Sequence, residues 1–284
     1  MLITTSCASE VKRLKVQALF LVFIFAMLPL VQAQTYSQPM LGVSWATREI
    51  LVSIPTSPSW APATINTAID DWNNAQLWFI HTYFPNQINA EFSLVGSENS
   101  TKSQVTIIYV ADAGQIWSGS TETPTSGTIS NETILLVLSR LQTSDDLVQV
   151  MEHELGHVLG LDHTQILTDL MSPSQEAYTG GERSHPSTLN LYGVYLLGKG
   201  CTFSTDDAVT LPAQIPYLEW YPAIQQPTTN APQNVTPNNN CPSQKPVWNQ
   251  PSFIFALAAA SVILVTVILL SRRKKKPRPS QFME

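Results

Sequence analysis

Residues 153–163 read HELGHVLGLDH, and three of the chain's five histidines fall inside these eleven positions. No other stretch restricts the fold as much. His153 and His157 are four apart, so on a helix both imidazoles leave one face. Gly160 permits a left-handed turn that ends the helix and brings His163 back toward the other two. Three such nitrogens suit a tetrahedral zinc ion with its fourth position open, the arrangement of a catalytic rather than a structural site. Glu154 stands next to the first histidine and can take a proton from a water that the metal acidifies.

The surrounding pattern supplies a scaffold for that helix. Arg48–Ile54 (REILVSI) predicts a strand. Apolar residues at Ile65, Ala68, Ile69, Trp72, Ala75, Leu77 and Ile80 predict a helix from Pro62 to about Tyr83. Two strands are expected over 91–95 and 104–110. Residues 111–130, rich in Gly, Ser and Thr, read as loop or irregular edge strand. Thr133–Leu138 (TILLVL) has the nearly continuous apolar character of a strand buried on both faces. Thr143 with Asp146 resembles a capping box that opens the motif's helix, which should run to about Leu159. A last helix is expected from about Pro186 to Leu197. This order implies an α/β (α+β) fold, a twisted mixed sheet with helices packed against it.

HExxHxxGxxH followed by a methionine turn is the signature of the metzincin clan of zinc peptidases. Here His153, Glu154, His157, Gly160 and His163 fill it, and Asp169-Leu170-Met171-Ser172-Pro173 resembles the Met-turn. Met-x-Pro is similar to the matrixin and adamalysin versions, and the element order resembles a matrixin catalytic domain. The resemblance implies a zincin fold with a long first helix, an active-site helix and a C-terminal helix. It also implies one catalytic zinc on His153, His157 and His163, Glu154 as general base, and Met171 as the hydrophobic floor. Pro173 and Tyr178, just past the turn, are candidates for the substrate pocket, although a loop tyrosine also simply packs. Gly114–Gly119 is a candidate for the edge strand that pairs with an extended peptide. Asp162 either orients a histidine or faces water. His81 reads as a surface or partly packed residue and His185 as a loop residue. No clear calcium loop or second zinc site is seen, so calcium stays open. No cysteine-switch propeptide precedes the domain, so that form of latency is not expected.

Two apolar runs bracket this region. Ala18–Val31, with Lys12, Arg13 and Lys15 before it and Val31-Gln32-Ala33 at its end, reads as a secretory signal peptide over 1–33, either cleaved or kept as an anchor. Phe253–Leu270 carries no charge, and about 18 residues span roughly 27 Å, just enough for a bilayer core. Arg272, Arg273, Lys274, Lys275, Lys276 and Arg278 follow it and favour a cytoplasmic tail over 272–284. The domains expected are therefore a signal peptide, a peptidase domain over 34–200, a Pro/Asn/Thr-rich stalk over 201–252, a transmembrane helix over 253–271 and the tail. This places a single-pass protein in the cell membrane with its main domain outside.

The net charge of −6 conceals an uneven distribution. Residues 34–252 hold 19 of the 21 acidic side chains and 6 of the 15 basic ones. So acidic a surface excludes nucleic acid as a partner, and leaves a polypeptide substrate and the bilayer. Cys201 and Cys241 are expected to pair in a disulfide, since an exported chain meets an oxidising compartment. Asn99, Asn131 and Asn234 begin glycosylation sequons. The reading is a zinc-dependent endopeptidase at the outer cell surface. The alternative is a non-catalytic, zinc-containing surface or adhesion glycoprotein that keeps the metzincin fold. Glu154 separates the two, because a structural zinc site has no need of it.

Overall fold

The computed structural model describes residues 35–87, 90–98, 101–124, 127–141, 143–173, 184–219 and 241. The folded unit begins at Ser37. Its central sheet has five strands in the order β4-β3-β5-β8-β6: β3 (Glu49–Ser53), β4 (Ser93–Ser97), β5 (Val105–Tyr109), β6 (Gly119–Glu122) and β8 (Glu132–Leu136). Four strands run parallel, and β6 lies antiparallel to β8 with Thr121 opposite Ile134. Two short pairs flank the sheet. β1 (Ser37–Pro39) joins β9 (Ala208–Thr210), and β2 (Val43–Trp45) joins β7 (Gly127–Ile129).

The described residues form three long helices: α1 (Ala61–Tyr83) and α2 (Ser144–Val158) pack on the sheet, and α3 (Thr188–Gly198) packs on α1 and on the β1–β9 pair. α1 buries one stripe that includes Ile65, Trp72 and Phe79, all fully covered. It is also pinned by polar bonds. Trp72 Nε1 donates to the Glu152 carbonyl at 2.8 Å, which ties α1 to α2. Asn73 exchanges two bonds with the Leu94 backbone, which ties α1 to β4. α2 starts in a complete capping box, with Thr143 and Asp146 each accepting from the other's backbone N–H. α3 is buried all round, as its apolar sequence requires, and is capped by Ser187 and Asn190.

Several expectations shift. Residues 114–118 are not strand; the edge strand begins at Gly119. β8 is not buried on both faces, since Glu132, Ile134 and Leu136 are covered while Thr133 and Leu135 are only half-covered. The fold also does not stop at Gly200. β9 pairs with β1, Leu218 N donates to Thr188 Oγ1 at 2.9 Å, and Thr188 N donates back to the Leu218 carbonyl. Residues 201–219 therefore belong to the domain rather than to a stalk. Cys201 and Cys241 are joined by a disulfide.

Asn131 is exposed in the turn before β8, while Asn99 and Asn234 lie outside the described residues. So do the expected signal peptide, the apolar run 253–270 and the basic tail. Among the described residues no helix is long and apolar enough to cross a membrane.

Candidate active site

α2 carries His153 and His157 one turn apart, and their Nε2 atoms lie 3.2 Å from each other. The helix ends at Val158, where Trp45 Nε1 caps the carbonyl at 2.7 Å. Gly160 then takes φ +94, a conformation that costs a side-chain-bearing residue energy. A Cβ there would also press on Leu197 and on the Val43 carbonyl. The chain turns back along residues 39–41, held by Leu41 N to the Gly160 carbonyl and Asp162 N to the Pro39 carbonyl. This return delivers His163, whose Nε2 stands 3.2 Å from both other Nε2 atoms.

The three nitrogens form an equilateral triangle, and its size can be checked against a metal. A tetrahedral zinc with Zn–N of about 2.0–2.1 Å separates its ligand nitrogens by about 3.3–3.4 Å. The triangle fits. The proton positions agree with this. His153 Nδ1 donates to the Leu170 carbonyl at 2.7 Å and His157 Nδ1 to the Leu161 carbonyl at 2.8 Å. A carbonyl only accepts, so Nδ1 holds the proton and each Nε2 turns a lone pair inward. Two such lone pairs at 3.2 Å repel unless a cation lies between them. Burial pulls the His153 pKa down to about 4, helped by His163 and opposed by the Leu170 carbonyl. Burial also drives His157 well below its usual range. Both imidazoles are therefore neutral at pH 7, the form that ligates a metal.

Glu154 is 4% exposed and lies at the wall of an open cleft of about 540 Å³ that also contains all three histidines. Burial raises its pKa to about 7, and a hydrogen bond from Thr121 pulls the other way. Thr121 Oγ1 stands 2.7 Å from Oε2. Met171 lies beneath. It is fully buried, and its Sδ occupies the space over Gly156, where a Cβ would come within 2.3 Å of the sulfur. The link from His163 to Met171 is closed by Thr164 N donating to the Met171 carbonyl at 2.9 Å.

Asp169 holds the methionine turn in place. Its Oδ1 accepts from Met171 N and Asn190 Nδ2, both at 2.9 Å; its Oδ2 accepts from Ser187 Oγ at 2.6 Å and the Tyr217 hydroxyl at 3.1 Å. Asn190 Nδ2 also reaches Gln38 Oε1 at 2.9 Å, and Gln38 Nε2 donates to the Asp162 carbonyl at 2.6 Å. This network runs from the turn under the site to the residue before His163.

Pro173 lines the cleft, and Tyr178 lies outside the described residues. Asp162 Oδ1 accepts from the His163 backbone N–H at 2.7 Å, so it fixes the main chain there. His81 is exposed at the end of α1. His185 Nδ1 stands 3.8 Å from Glu152 Oε1, in a group with Asp71 apart from the cleft. Sequence reasoning missed Thr121, Gly156 and the Gln38–Asn190–Asp169 network. Gly156 occupies a free position of the motif, and Thr121 sits in a polar stretch with no periodicity, so neither carried a signal.

Residues 61–189 match the family model described as matrixin. This match supports a matrixin-like metallopeptidase domain over those residues, and the mixed sheet and three helices fit one. Among solved structures, it is similar to a chain of the GM1-bound form of the ECX AB5 holotoxin. The identity is 13%, over 61% of this chain and 90% of that one, with a TM-score of 0.37. No curated protein matches the chain.

Proposed function

We propose that the protein is a zinc-dependent endopeptidase, with His153, His157 and His163 as the metal ligands and Glu154 as the general base. The observation that carries this reading is the triangle of Nε2 atoms at 3.2 Å with a buried acid beside it in an open cleft. Zinc held there supplies Lewis acidity toward a carbonyl oxygen and lowers the pKa of a water. Glu154 takes the proton of the attacking water and passes it to the amide nitrogen, so that the C–N bond breaks to a neutral amine and a carboxylic acid. Met171 packs under α2 and keeps the two histidine-bearing turns level. β6 pairs with β8 along one edge only among the described residues, which suits the addition of an extended peptide on its other edge. Pro173 walls the cleft and Tyr178 is proposed to extend that wall.

The site is proposed to work at the outer cell surface. That placement draws on the signal-like run before Ala33, the uncharged run 253–270 and the basic residues after it. The purified chain should cleave an unfolded protein substrate, lose that activity on treatment with a zinc chelator and regain it on addition of zinc. Cleavage indifferent to chelation would refute the assignment.

A further inference from the structure

The peptidase reading assigns β6 to the substrate, but two of its residues also face the proposed base. Gly119 and Thr121 are two apart, so they point to the same side of the strand, the side turned to α2. Thr121 Oγ1 lies 2.7 Å from Glu154 Oε2 and 3.2 Å from the Glu154 carbonyl. A hydroxyl has one proton to give, and the shorter contact to a carboxylate takes it. Gly119 supplies the other half of the bracket. A Cβ on Gly119 would stand 2.7 Å from Glu154 Oε1 and 3.0 Å from Glu154 Cγ, so the carboxyl group lies directly against the bare Cα. Both Glu154 oxygens thus meet the same strand, Oε2 through a donor and Oε1 through close packing.

We infer that Thr121 is a positioning residue for Glu154, its hydroxyl occupying Oε2 so that Oε1 is left to accept the proton. This rests on Glu154 being the base. A glutamate has three rotatable side-chain bonds, and a base works only within about 2.6–3.2 Å of the proton it takes. A displacement of about 1 Å can cost about 100-fold in rate. The bracket comes from the same strand that is proposed to pair with the peptide. One rigid element then aligns both the scissile bond and the base, so their separation is set by the strand rather than by a flexible loop.

The test is steady-state hydrolysis by the zinc-loaded full chain. Valine has threonine's shape and suits a strand, but donates nothing. Thr121→Val should lower kcat about 30-fold with KM within about twofold, and zinc content should be unchanged. Thr121→Ser should restore at least half of the wild-type kcat, which a purely structural role for the methyl group would not allow. Where valine disturbs folding, Thr121→Ala serves in its place and should show the same loss of kcat. Wild-type kcat in Thr121→Val, or equal loss in the valine and serine variants, overturns the inference. An inactive Glu154→Gln beside a fully active Thr121→Val sinks this inference alone. A wild-type chain without chelator-sensitive cleavage sinks the peptidase reading, and this inference with it.

Discussion

Glu154 and Asp169 are both buried carboxyls, 4% and 0% exposed, but they are wired differently. Among the described residues one donor, Thr121, reaches the Glu154 side chain, whereas four reach that of Asp169. A carboxylate with four donors on its lone pairs is fixed in place. One with an oxygen still available beside a cleft can exchange protons. Burial raises the pKa of both groups. What separates the proposed base from the strut is thus the number and origin of the donors, not burial.

The sharpest way to break this comparison is at Glu154. Glu154→Gln keeps the size and removes the proton acceptor, so hydrolysis should fall by about 1,000-fold. The melting temperature should hold or rise, because a neutral amide is easier to bury. Peptide hydrolysis and calorimetry on the same sample read both; retained turnover would refute the role. Asp169→Ala should do the reverse in kind. It strands the donors from Met171, Asn190, Ser187 and Tyr217, and should destabilise the fold by about 3 kcal/mol in urea unfolding. A loss below about 1 kcal/mol would show that the network is not a strut.

Glu132 sharpens the comparison as a third buried acid, outside the cleft lining. Its oxygens meet no donor at hydrogen-bonding geometry among the described residues. Burial pushes its pKa up to about 8 from 4.5, with the nearby Thr123 hydroxyl pulling weakly the other way. The folded state therefore keeps a proton that the unfolded chain releases above about pH 4.5, and stability falls as pH rises through that window to about 8. Glu132→Gln removes this slope. It should stabilise the fold by about 2 kcal/mol at pH 8 and hardly at all at pH 4.5, as parallel melts at the two pH values would show. Identical pH slopes in wild type and variant would count against a neutral Glu132. The smallest effect is expected for Ser187→Ala, which removes one donor to Asp169 and the cap of α3. About 1 kcal/mol should be lost, and equilibrium unfolding with no measurable change would argue that neither bond matters.

The helices and the main strands of the sheet were legible because local pattern and tertiary demand agree there. The apolar spacing of α1, the capping box of α2 and the motif itself each name their structure from a few neighbouring residues. The histidines and Glu154 were legible for the same reason, since one helix and one turn bring them together. The other wall of the cleft was not. Gly119–Glu122 reads GSTE, a sequence with little β-preference, and is a strand only because β8 pairs with it. β1 and β9 meet across about 170 residues, with three residues in each strand, too few to show a period. Thr133–Leu138 looked buried on both sides because apolar residues alone do not reveal that Leu135 lies on a half-open face. Asp169 looked like part of a methionine turn, and its role depends on partners that arrive 18 to 48 residues later.

The reciprocal bonds between Thr188 and Leu218 bear on how the domain can be cut from the chain. A fragment ending at Gly200 would contain His153, His157, His163 and Glu154 and the whole family match. It would lack β9, the Tyr217 hydroxyl on Asp169 and the latch at the first turn of α3, a helix with no polar face to present to water. Such a fragment would bare α3 and loosen the turn under the histidines. The shortest piece that keeps these seams and the Cys201–Cys241 disulfide intact runs from Ser37 to Cys241.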